Sequence, residues 1–86
     1  MSRPRSIDKI QNSELVTISE LVQLSGMRYS TLKYYTEEGL IPFEQVDNRL
    51  VRRYPRIDSL KRLDEINKLK ISGLTIEEIK KILLKN

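Results

Sequence analysis

The chain has 86 residues, enough for one small domain and too few for a second core. It contains no cysteine and no histidine, which removes disulfides, thiolate metal sites, Cys/His nucleophiles and the usual general base, and permits a reducing compartment. With 16 Lys/Arg against 12 Asp/Glu the net charge is +4, and no apolar run approaches membrane-spanning length, so a cytoplasmic protein without membrane partners is expected.

Residues 1–16 carry Arg3, Pro4, Arg5 and Lys9 and are read as a basic N-terminal arm with a short turn at Ile7 and Ile10. The folded domain is read as residues 17–86. It opens at Thr17, where Thr17-x-x-Glu20 is a capping box ahead of an inward stripe of Ile18, Leu21 and Val22. Gly26 stops this helix, because glycine takes a left-handed C-cap at little cost. A second helix follows within a few residues, in "STLKYYTEEGLIP", with Leu32 and Tyr35 three apart and a stop at Gly39. Two short helices around a tight glycine turn are the pattern of a helix-turn-helix, which the pattern alone does not separate from another αα-hairpin.

The paired tyrosines of that segment divide by angle. With Leu32 at the centre of the buried face, steps of about 100° put Tyr35 about 60° away and Tyr34 about 160° away. Tyr35 therefore packs inward, near Val22 and Leu40, while Tyr34 points outward with Ser30 and, at the edges, Thr31 and Lys33.

Next, "LIPFEQVDNRLVRRYP" reads as two short strands around an Asp47-Asn48 turn, with Phe43 and Val46 on one side and Leu50 and Val51 on the other. Such a hairpin is marginal alone and should rest on the helices. Pro55 precedes a third helix with Ile57, Leu60, Leu63, Ile66, Leu69 and Ile71, an apolar surface wide enough to need cover on more than one side. Gly73 caps it, and Thr75-x-x-Glu78 opens a fourth helix with Ile76, Ile79, Ile82 and Leu83 to supply that cover. The fold class is mainly α with a small β-hairpin wing: a winged helix-turn-helix followed by a helix pair.

Charge follows this order. Arg49, Arg52, Arg53, Arg56, Lys61 and Arg62 meet only Asp58 between positions 49 and 62, a basic stripe beside the helix-turn-helix of the kind nucleic-acid binders carry.

These segments together, "TISELVQLSGM…STLKYYTEEGLIP…RRY…ISGLTIEEIKKIL", resemble the DNA-binding domain of the MerR family of bacterial transcription regulators over residues 17–84. The sharpest matches are "TLKYYTEEGLIP" and "GLTIEEI". Lys33 stands where the family usually has arginine, Thr36 where it has glutamate, Arg28 where a capping serine is common, and Val51 in place of a wing tyrosine; the stretch Tyr54–Gly73 is one residue longer. A later start of the second helix, capped by Ser30, is expected from the Arg28 departure.

By resemblance that second helix is the recognition helix, and its outward Tyr, Lys, Ser and Thr suit the major groove, where hydroxyls and lysine reach phosphates or base edges. The family's wing arginine matches Arg52 and its following aromatic Tyr54, which either touches DNA or buttresses the wing. The expected DNA-binding set is Thr17, Arg28, Ser30, Thr31, Lys33, Tyr34, Arg49, Arg52, Arg53 and Tyr54. Arg56, Lys61 and Arg62 extend the phosphate track in part.

The function expected is sequence-specific binding of double-stranded DNA by a transcription regulator, in the cytoplasm and associated with the nucleoid. The alternatives are an architectural DNA-binding protein, such as a phage excisionase or a plasmid partition factor, and a protein-binding adaptor on the same scaffold. No catalytic role, cofactor or metal is expected. Family regulators continue into a long dimerising helix, whereas this sequence stops at Asn86. At most weak self-association is therefore expected without DNA, with a homodimer or cooperative oligomer on DNA.

Overall fold

The computed structural model describes residues 6–45 and 52–84. Ser6 caps a one-turn helix, α1 (Ile7–Gln11), its hydroxyl accepting from the Lys9 amide at 3.4 Å. A two-residue strand, β1 (Leu15–Val16), leads into α2 (Ile18–Ser25). The expected capping box is present: Thr17 Oγ1 accepts from Glu20 N at 3.2 Å and Glu20 Oε1 accepts from Thr17 N at 2.9 Å. Gly26, at φ 72, closes α2 in the left-handed conformation, as anticipated.

The second helix, α3 (Tyr29–Glu37), starts earlier than expected. Its N-cap is Arg28, extended at φ −70 and ψ 146 with no side-chain cap bond, so Ser30 lies within the first turn and does not cap. An N-cap requires the extended backbone; the hydroxyl only adds to it. At the other end Gly39 N donates to Thr36 O at 3.1 Å and Leu40 N to Tyr35 O at 2.8 Å. These two bonds satisfy the last carbonyls of α3, and Leu40 is thereby folded under the helix into the core.

The wing follows as β2 (Glu44–Gln45) and β3 (Arg52–Pro55), antiparallel, with Glu44 opposite Arg53 and Gln45 opposite Arg52. The expected Asp47-Asn48 turn, with Val46, Leu50 and Val51, lies outside the described residues. On its other edge β3 pairs antiparallel with β1, Leu15 opposite Pro55 and Val16 opposite Tyr54, so the sheet order is β1-β3-β2. The Arg56 amide and its Nε extend this seam, donating at 2.8 Å to Glu14 O and Ser13 O.

Residues 7–16 are therefore not an arm outside the domain. Ile10 and Val16 are fully buried in the same core as Leu21, Leu32, Tyr35, Tyr54 and Ile66. Arg3 and Arg5 lie outside the described residues.

The long helix α4 (Arg56–Ile71) and α5 (Ile76–Leu83) pack against each other, with Thr75 and Glu78 in the expected capping box. Leu63, Ile66 and Ile79 are buried between the layers, but Ile57 and Ile71 are 66% and 77% exposed and Ile82 51%. At 1.5 Å per residue α4 is about 24 Å long, while α2 and α5 are each about half that, so the ends of α4 run past their cover. The expected apolar enclosure holds for its middle and fails at its ends.

Candidate nucleic-acid interface

The inner and outer faces of α3 are sharply different. Leu32, Tyr35 and Thr36 are buried, at 0%, 2% and 3% exposure. Tyr34 is 45% exposed, and Arg28, Ser30 and Lys33 are also exposed, with Thr31 half-buried at the edge. The two adjacent tyrosines thus leave the helix on different faces, one buried and one exposed, as the 100° step requires, with ring centroids 6.0 Å apart. Sequence reasoning missed Tyr29, 51% exposed at the first position of α3. The signal was available: Tyr29 is four residues before Lys33 and so shares its face.

That shared face looks onto the wing. Thr17, Tyr29, Lys33, Gln45, Arg52 and Arg53 line a groove of about 370 Å³ between the start of α2, the side of α3 and the strands. Gln45, also missed, enters because it is opposite Arg52 in the β2–β3 register, a pairing invisible without the strands. The Arg52 guanidinium lies 5.0 Å from the centroid of the Phe43 ring, a cation–π contact that holds the side chain in place while leaving its outer donors open.

Tyr54 borders the groove floor but is 1% exposed, and its hydroxyl lies 2.9 Å from Thr36 Oγ1. Of the two roles expected for Tyr54, a ring in the core and an engaged hydroxyl favour buttressing of the wing over contact with DNA. Arg49 lies outside the described residues. Of the three downstream cations, Arg62 Nη1 donates to Leu40 O at 3.1 Å and Arg56 is held by Ser13, so both brace the fold, while Lys61 is exposed.

Residues 16–86 match the family model described as the MerR HTH family regulatory protein. The chain belongs to the MerR family. No curated protein and no solved structure matches it. In MerR terms the α2–turn–α3 unit is the helix-turn-helix of a DNA-binding transcription regulator, and the strands beside it form the wing.

Electrostatics favour an anionic ligand on this face of the MerR fold. Among the described residues the groove lining carries Lys33, Arg52 and Arg53 and no carboxylate. At the other end of α3, Glu38 Oε1 accepts from Lys80 Nζ at 2.8 Å, fastening α5 to the helix-turn-helix. This hydrogen bond, then the attraction of the Glu38 charge, raises the Lys80 ammonium above its ordinary pKa. No helix among the described residues is long and apolar enough to cross a membrane.

Proposed function

We propose that this MerR-type domain binds double-stranded DNA with sequence preference, α3 lying in the major groove and the wing against the backbone or the adjacent minor groove. The observation that carries this reading is the groove itself: two elements far apart in sequence bring Lys33 and the adjacent Arg52 and Arg53 to its lining, together with Tyr29. Cations so placed can grip the sugar-phosphate backbone on both sides of an inserted helix.

On this reading Ser30, Lys33 and Tyr34 meet base edges or phosphates in the major groove, with Tyr29 and Thr31 at its margins. Thr17 presents the N-terminus of α2 to a phosphate, with its own hydroxyl already committed to the cap. Arg28 follows the backbone at the turn. Arg52, Arg53 and Arg49 serve as wing contacts, and a narrow minor groove would strengthen their attraction.

The work is binding, with no catalytic step, and it acts on the nucleoid in the cytoplasm. One such module covers a limited area, typically about 600–1,000 Å², so tight binding calls for two or more copies on one DNA.

Selection from random duplex oligonucleotides, followed by affinity measurements on the selected site and a scrambled one, tests the reading. A reproducible motif, lost in Lys33→Ala and Tyr34→Ala, is expected. Sequence-independent binding with DNA bending or filament formation would mean an architectural protein instead. No salt-dependent DNA affinity at all would leave a protein-binding adaptor.

A further inference from the structure

The wing and α3 are joined by one buried polar contact. Thr36 Oγ1 donates to Leu32 O at 2.8 Å and lies 2.9 Å from the Tyr54 hydroxyl. A hydroxyl has a single proton, so with the Thr36 proton on Leu32 O, Tyr54 is the donor to Thr36. Tyr54 and Arg52, two apart on β3, project to the same side of the strand. On that side the Phe43 ring lies 6.2 Å from the Tyr54 ring and 5.0 Å from the Arg52 guanidinium. A continuous chain of contacts therefore runs from the backbone of α3, through Thr36, Tyr54 and Phe43, to the arginine at the groove.

We infer that Tyr54 and Thr36 are positioning residues, their hydroxyl pair setting the angle of the wing against α3 and so the placing of Arg52 over the groove. Apolar packing alone is non-directional and would let the strand slide on the helix, whereas a hydrogen bond in the dry core is directional and strong for its surroundings. The tie matters most for the outer part of the wing, because β2 has two residues and pairs with β3 alone, whereas β3 is also held by β1. The consequence for DNA rests on the binding mode proposed above; the consequence for the free protein does not.

The test is Tyr54→Phe, which keeps the ring and leaves the Thr36 hydroxyl on Leu32 O, so no buried donor is orphaned. In the free protein, amides of the β2–β3 ladder should exchange about three- to tenfold faster, the effect of one neutral hydrogen bond, with those of α4 and α5 unchanged. On DNA selected by the wild type, affinity should fall by a similar factor. Arg52→Ala should cost less in the Tyr54→Phe background than in the wild type, because its placing has already been lost.

Thr36→Val alone would strand the Tyr54 hydroxyl, so it is paired with Tyr54→Phe; the double variant should match the single one. Unchanged exchange in the strands, or uniform acceleration throughout the molecule, overturns the inference. So does strict additivity of the Arg52 and Tyr54 substitutions on DNA. Should the wild type bind no DNA, the proposed interface fails, while the exchange pattern still decides the positioning role.

Discussion

Adjacent side chains on α3 have opposite tasks, and their substitutions should separate accordingly. Tyr35 is 2% exposed, and replacing a buried aromatic by alanine removes its burial and leaves a cavity. Tyr35→Ala should destabilise by about 3–5 kcal/mol in chemical denaturation. Tyr34→Ala, at a side chain 45% exposed, should unfold at nearly the wild-type midpoint and weaken specific binding. Equal midpoint shifts in the two variants would contradict the assigned faces. Arg52 allows a second separation. On the proposed binding mode it neutralises one phosphate, so Arg52→Ala should reduce the slope of log affinity against log salt by about one unit and weaken all sequences alike. Relaxed preference at a single base pair with an unchanged slope would instead make Arg52 a base reader.

The helices are held at their ends as much as along their faces. Gly39 has φ 75, and a Cβ there would meet nothing within 4 Å, so any cost of substitution is conformational and not steric crowding by neighbours. Gly39→Ala should cost about 1–2 kcal/mol, and Gly39→Asn less, since asparagine tolerates the left-handed region. Identical losses for Ala and Asn, measured by denaturation, would point to another cause.

At the start of α5 the Glu78 carboxyl sits below its usual value of 4.5, chiefly through the bond to the Thr75 amide, then the Thr75 hydroxyl and the Lys81 charge, with burial opposing. Because the folded pKa is the lower one, this contribution is present above about pH 4.5 and is lost as the pH falls through the folded value. Glu78→Gln keeps the acceptor without the charge, so its midpoint of thermal unfolding should depend less on pH across that acid range. Thr75→Ala should cost about 1 kcal/mol at neutral pH. An acid limb identical in Glu78→Gln and wild type would mean that this box does not contribute to acid stability.

On the proposed binding mode the molecule divides into a reading face and a bracing face. Lys33, Arg52 and Arg53 gather at the groove, whereas Arg56 and Arg62, equally basic in the sequence, are turned inward to carbonyls. A single reading face is small, so affinity should depend on the number of copies one duplex accommodates. Sedimentation of the complex should show two or more chains on a selected site, in inverted or direct repeat, with at most weak association of the free protein. Tight binding of one chain to one half-site, or a stable free dimer at low micromolar concentration, would overturn this expectation.

The helix-turn-helix, both capping boxes, the Gly26 and Gly39 stops and the opposed tyrosines are all legible in the amino-acid sequence. Each depends on residues within about one helical turn of one another, and the α-helix has a fixed angular step that converts spacing into direction. The hairpin is legible from its apolar runs, but not β1, whose two residues carry no periodicity and whose partner is Pro55 and Tyr54, far along the chain. The same distance in sequence hides the burial of Ile10, the Tyr54–Thr36 bond and the meeting of Tyr29 with Arg52 and Gln45. Nor does charge alone tell the arginines apart. Local spacing specifies which way a side chain leaves its own element; what it finds there depends on where another element has packed, and that is settled by burial of the shared core.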